Sequence, residues 1–189
     1  MPDIFESTPV ISWTLKRKKY SDALSAFRSY LDAHPEDSPK RLLDAELRTA
    51  DCFYAKKEFD RAVTYYDKCL VNQHAANIDY ILYQRAMSIS LSNNTDALAT
   101  QIKVLDRLLE EYPNSRFIVD ALYESARTLI ELDELDDANT RLNELLSSHP
   151  RNPRTKEALV DLCLIGIKQN RPDDVLATWD KIRTTYGND

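Results

Sequence analysis

The sequence predicts an all-α chain of stacked antiparallel helix pairs, and three observations carry that prediction. Prolines recur at near-constant spacing where helical patterns end, cap-type residues recur at a fixed distance before them, and glycine is almost missing. Pro35, Pro113 and Pro150 follow Ala-His, Glu-Tyr and Ser-His. The first interval is 78 residues, or two units of 39, and the second is 37. The midpoint falls at His74, where Val71-Asn72-Gln73-His74 closes another helical stretch. Repeats of about 20 to 50 residues are the mark of a solenoid. The 189 residues hold 2 glycines, Gly166 and Gly187, where average usage of about 7% predicts about 13. Phosphate-cradling loops, tight hairpins and dinucleotide fingerprints need glycine's backbone freedom, so those chemistries are disfavoured.

The elements follow in order. An opening helix is expected near Thr8 to Lys16, with Pro9, Trp13 and Leu15 but little regular pattern. The second helix of each unit begins near Ser21, Asp60, Asp136 and Asp173, each 14 residues before Pro35, His74, Pro150 or Gly187. Their side-chain oxygens suit the free N–H groups that open a helix. Compact residues follow at Ala23, Ala62, Ala138 and Val175, bulky ones at Phe27, Tyr66, Leu142 and Trp179, then Tyr30, Cys69, Leu145 and Ile182. Spacings of four and three place these on one helical face.

First helices are announced by Ser38-Pro39, Asn77-Ile78, Asn114-Ser115 and Asn152-Pro153, since proline suits the first helical position. Ala50, Ala86, Ala126 and Cys163 then mark where two backbones approach closely. In the middle unit the expected cap, Thr95, lies 18 residues before Pro113. Asn93-Asn94-Thr95 reads as the turn, and residues 96–112 as a helix about one turn longer than its siblings.

Charge and cysteine usage narrow the function. There are 25 Lys+Arg against 31 Asp+Glu, a net charge of −6, and phosphate binding needs the opposite balance, so nucleic acid is not an expected partner. Cys52, Cys69 and Cys163 are an odd set without metal spacing and read as small buried hydrophobes. Residues 1–6 show no basic region leading into an apolar run, so no secretory signal is read there. No apolar stretch approaches the ~20 residues of a membrane span.

These repeats resemble the tetratricopeptide family. The fullest match is Leu122, Ala126, Leu129, Leu135-Asp136, Ala138, Leu142, Leu145 and Pro150, with Ala50, Phe53, Phe59, Ala62, Tyr66 and Cys69 close behind. The resemblance covers nearly all of residues 1–189 as a single solenoid of about five pairs, roughly 4–35, 40–74, 78–113, 116–150 and 153–187. It implies a right-handed α–α superhelix whose first helices line a concave groove for peptides or partner proteins. The phrases Tyr112-Pro113-Asn114-Ser115 and Leu122-Tyr123-Glu124-Ser125-Ala126 are similar to those of bacterial envelope repeat proteins. That group includes the Tol–Pal-associated periplasmic factor and outer-membrane-protein assembly lipoproteins. A periplasmic or envelope location is therefore expected if the chain is bacterial, and a cytoplasmic one otherwise.

Under that resemblance, the groove residues beside the buried stripe are Asp51, Tyr54, Tyr80, Tyr83, Met87, Tyr123, Arg127 and Leu164. Tyrosine and arginine are enriched at binding hot spots; the alternative is that several of these tyrosines pack between units. Carboxylate-clamp members hold chaperone tails with Lys, Asn and Arg on successive first helices, and here only Arg127 and Lys168 offer positive charge, so that use is disfavoured. His34 and His149 stand just before proline in their repeats and His74 in the proline place itself; each repeat shifts this edge position by roughly 18 Å from interaxial spacings, too far for the three to share a zinc. Lys16-Arg17-Lys18-Lys19 and the acidic run Glu131 to Asp137 read as solvated turns, with Asp136 as a cap. No nucleophile constellation, metal site or cofactor motif is present in the pattern, so the chain reads as a binding protein and not an enzyme.

A solenoid needs polar-faced terminal units, and the last pair offers Val175, Leu176 and Trp179 with no further helix after Tyr186. Either a longer array or end-to-end self-association follows. Three functions stay open: a protein-interaction scaffold, a structural or oligomerisation spacer, and a regulatory segment of a longer protein.

Overall fold

Nine α-helices account for most of the described residues, which are 19–72, 75–92 and 96–187 of a computed structural model. They are α1 Tyr20–Ala33, α2 Pro39–Ala55, α3 Phe59–Leu70, α4 Ile78–Ser90, α5 Ala97–Glu111, α6 Ile118–Glu131, α7 Leu135–Ser148, α8 Arg154–Lys168 and α9 Pro172–Tyr186. No strand occurs among the described residues. The expected opening helix, the Asn93-Asn94-Thr95 turn and His74 lie outside them. The chain groups into two compact units, Met1–Ala97 and Leu98–Asp189.

In the first unit α1 packs on α2, α2 on α3 and α3 on α4. Only three residues join α2 to α3, which makes those helices antiparallel neighbours. Ala50 and Ala62 are fully buried, so the two backbones come together at residues without bulk. Phe27, Tyr30, Leu43, Leu47, Phe53, Tyr66, Cys69 and Ile81 fill the core around that crossing.

In the second unit α6 packs on α7, α7 on α8 and α8 on α9, and α6 also meets α8. Ala121, Ala126, Ala138, Leu142, Leu145 and Ala158 are fully buried there. Leu105 and Leu108 bury the inner face of α5, and Thr128 of α6 donates to Gln101 Oε1 of α5 at 3.0 Å. The cysteines sit as small hydrophobes: Cys52 and Cys69 are buried and Cys163 half-buried, all as free thiols.

The glycine-poor turns are made by other residues. Lys57, Asp133 and Asn170 take left-handed backbone angles, with φ of 62°, 62° and 54°. In each case the next N–H reaches back to the last turn: Glu58 to Phe53 at 2.9 Å, Glu134 to Leu129 at 2.9 Å, and Arg171 to Gly166 at 2.8 Å. This is the six-to-one closure in which glycine usually stands. The repeated turn also corrects the expected caps. The N-caps are Lys19, Glu58, Glu134 and Arg171, none with a side-chain cap bond. Because the turn closes one residue after the left-handed position, Asp60, Asp136 and Asp173 fall at the second helical residue, the place that Ser21 also takes in α1. The aspartates there face the positive end of the helix dipole instead.

Two further expectations change. The helix of the middle unit has 15 residues against 12 to 15 for α1, α3, α7 and α9, so it is not a turn longer. The extra residues precede Ala97. Helix α6 starts at Ile118, not at Asn114-Ser115, because Ser115 N–H bonds Tyr112 O at 2.9 Å and Ser115 Oγ accepts from Phe117 N–H at 3.1 Å, holding a turn there.

Candidate protein-binding site

Helix α2 carries Lys40, Asp44, Leu47, Asp51 and Tyr54 at alternating spacings of four and three, a single stripe along its length. Helix α4 carries Tyr80, Tyr83 and Met87 in the same rhythm, just beyond Asn77. Asp51, Tyr54, Tyr80, Tyr83 and Met87 are each half-buried, neither core nor fully solvated.

Asp51 joins three helices. Its Oδ1 accepts from the Tyr66 hydroxyl of α3 at 2.9 Å and from the Tyr80 hydroxyl of α4 at 2.8 Å. Its Oδ2 accepts from Arg48 Nη1 at 3.0 Å. Burial pushes the Asp51 carboxyl above the usual carboxylate range, while the two tyrosines and Arg48 pull the other way. Burial, with Asp51 beside it, raises the Tyr66 hydroxyl. Asp51 is thus a clamp that sets where Tyr80 stands. The Tyr54 ring meets Phe59 edge-on at 5.6 Å between centroids, and Arg85 of α4 pairs with Asp67 of α3.

Where the stripes begin, a cavity of about 300 Å³ opens between Lys40, Leu43, Asp44 and Leu47 of α2 and the Ala76-Asn77 segment leading into α4. Asn77 takes φ of 57° there. Leucine forms the floor and a Lys/Asp pair the rim. Leu43 and Leu47 are also core residues, 5% and 6% exposed, so their apolar character alone does not mark this opening.

In the second unit the sequence-selected residues separate. Tyr123 is only 6% exposed. The Arg154 guanidinium lies 4.8 Å from its ring centroid, bonds Asp120 Oδ1 at 3.2 Å and comes within 3.8 Å of Glu124. Tyr123 lies close enough to Asp161 of α8 for the two to influence each other, and burial raises both groups. Arg127 and Leu164 are exposed, with Arg127 close enough to lower the Asp161 pKa. Both units therefore bring a tyrosine and an aspartate of successive first helices together, and in the first the two are hydrogen-bonded. Arg154 and Asp161 were missed because each reads alone as a surface charge.

The acids of the acidic turn are all exposed, as expected, and two of them are paired. Asp133 pairs with Lys168 at 3.2 Å. Asp136 accepts from Gln169 at 2.9 Å and meets Arg171 at 3.6 Å, which replaces the expected capping role. Among the described residues no group of three or more His, Cys, Asp or Glu side chains is placed to hold a metal. No described helix is long and apolar enough to cross a membrane.

Comparison with known proteins gives the same fold. The model of the YfiO family, described as outer membrane lipoprotein, matches residues 11–124, and a tetratricopeptide repeat model matches residues 120–152. No curated protein sequence matches the chain. Among solved structures, MamA from Desulfovibrio magneticus RS-1 superposes with a TM-score of 0.73 at 14% identity, covering 93% of this chain and 90% of that one. YrrB, described as a TPR protein with an unusual peptide-binding site, gives 0.72 at 14% identity, with 94% and 83% covered. BtubC from P. vanneervenii gives 0.72 at 13% identity, with 92% and 76% covered. The fold is that of the tetratricopeptide repeat proteins.

Proposed function

Because the chain belongs to the YfiO outer membrane lipoprotein family, we propose that it is a non-catalytic envelope protein that holds a peptide or partner protein on its first-helix faces. The observation that carries the reading is the cavity of about 300 Å³ at the head of the α2 and α4 stripes. An apolar side chain of an incoming peptide enters it over Leu43 and Leu47, between the Lys40 and Asp44 rim charges. Tyr54, Tyr80, Tyr83 and Met87 then offer apolar area along the two stripes. Tyr80, held by Asp51, costs little entropy to use. The peptide-binding description of YrrB supports this reading, and Arg127 with Leu164 supplies a separate contact on the second unit.

The experiment places a photo-crosslinking amino acid at Tyr83 in cells and compares the wild-type background with Ala76→Trp, which fills the cavity. We expect a discrete crosslinked partner that is lost in Ala76→Trp and in Tyr54→Ala/Met87→Ala, with helicity retained. Undiminished crosslinking in folded variants removes the groove reading and leaves a spacer. Cell fractionation tests the location: recovery with the outer membrane is expected, and recovery in the cytosol refutes it.

A further inference from the structure

The last helix pair exposes an apolar face whose counterpart on the preceding pair is covered. Val160 and Ile167 of α8 are 54% and 65% exposed, and Leu176 and Trp179 of α9 are 62% and 59% exposed. Helix α9 has no buried residue. One repeat earlier, 37 positions back, Val160, Ile167 and Trp179 correspond to Tyr123, Ile130 and Leu142, at 6%, 9% and 0% exposure. Helix α8 packs on α6 and α7 and covers them. The chain therefore shows what kind of object fits the exposed face: one amphipathic helix with the build of α8.

Charge says more about that helix. Residues 151–171 carry Arg151, Arg154, Lys156, Lys168 and Arg171 against Glu157 and Asp161. Their cations land on acids of the preceding pair: Arg154 on Asp120 at 3.2 Å, and Arg171 on Asp136 at 3.6 Å. The acids 37 positions on are Glu157 and Asp173, both exposed. The receiving chemistry is repeated on the open face, and two copies of that face set against each other would place acid on acid. We infer that the face formed by Val160, Ile167, Leu176 and Trp179, framed by Glu157 and Asp173, docks a basic amphipathic α-helix of a partner protein. The helix lies on α8 and α9 as α8 lies on α6 and α7. Its cations meet Glu157 and Asp173, and its apolar stripe covers Trp179.

A synthetic peptide of residues 151–171, with Cys163→Ser and blocked ends, is the probe. It is titrated to about 1 mM into the full chain carrying Trp13→Phe, which leaves Trp179 as its reporter. We expect a saturable blue shift of Trp179 emission. Glu157→Lys with Asp173→Lys weakens it at least about tenfold, and a peptide with Arg154→Glu and Arg171→Glu recovers affinity for that variant. Three results overturn the proposal: no shift with the peptide, an equal shift with a scrambled peptide, or a concentration-dependent blue shift without peptide. The last assigns the face to a second copy of the chain.

Discussion

The hydroxyl of Tyr80 donates to Asp51 Oδ1 at 2.8 Å, tying α4 to α2 across one repeat. The Tyr66 hydroxyl, from the helix between them, uses the same oxygen. One carboxylate oxygen therefore satisfies two phenols, one of them on a residue with no exposed surface. Removing the acceptor leaves a buried donor unpaired, which costs about 1 to 3 kcal/mol. We expect Asp51→Ala to lose about 2 to 3 kcal/mol in urea unfolding. Asp51→Asn keeps an acceptor for both tyrosines and turns an N–H toward Arg48, so it loses less than Asp51→Ala. Equal losses in the two variants refute the clamp.

The same carboxyl makes stability depend on pH. Burial raises its pKa in the folded chain above the ordinary 3.8, so the folded state binds its proton more tightly than the unfolded state. Its contribution is complete below the ordinary value and is lost as pH rises through the raised folded value. Measured as the difference between the native chain and Asp51→Asn, stability should move against the native chain across that window. A pH-independent difference contradicts the assignment of burial as the dominant influence.

At Lys57 the chain holds a lysine at φ of 62°, where a side chain costs about 1 to 2 kcal/mol. Glycine avoids that cost but loses more freedom on folding. Lys57→Gly is expected to gain about 0.5 to 1 kcal/mol, and Lys57→Val to lose at least about 1 kcal/mol, both read as shifts in urea midpoint. A destabilising Lys57→Gly refutes the strain.

The helix register was legible because it rests on burial: Ala50, Ala86 and Ala126 are fully buried where the spacing put them. The turns were less legible. Lys57, Asp133 and Asn170 are held left-handed by packing of the helices they join, and local preference carries little of that constraint. The Asp side chains expected as caps sit one turn-geometry away for the same reason. At the site, Asp51 and Tyr80 were selected as neighbours of the buried stripe. Tyr66 was absorbed into the stripe because its polar end is invisible to periodicity. Trp179 shows the reverse case: it occupies a stripe position but stays 59% exposed, because no described helix covers that face of α9.

Thiol reactivity should follow burial. Cys52 and Cys69 have no exposed surface, and burial pushes their thiols up to about 12. Cys163 is half-buried, with a smaller burial effect. Thiolate is the reactive form. A disulfide reagent at pH 8 should therefore label Cys163 in the native chain, and the other two only after unfolding in guanidinium. Rapid native labelling of Cys52 or Cys69 shows that the α2–α3 crossing opens readily.

Gly166 supplies the last test, because its missing side chain sets how closely α9 approaches α8. A Cβ built there falls 2.7 Å from Val175 Cγ2 and 3.5 Å from the Arg171 carbonyl. Helix propensity alone favours Gly166→Ala by about 1 kcal/mol. The overlap opposes it, since crowding a packed contact costs about 1 to 3 kcal/mol. Val175 is β-branched and cannot rotate freely away from the contact. Crowding therefore outweighs propensity, and Gly166→Ala is expected to destabilise by about 1 kcal/mol. Adding Val175→Ala removes the obstructing methyl and lets the propensity gain return, so the double variant should exceed Gly166→Ala in stability. If Gly166→Ala is itself stabilising, or Val175→Ala fails to rescue it, the close approach of these two helices is not what holds glycine at this position.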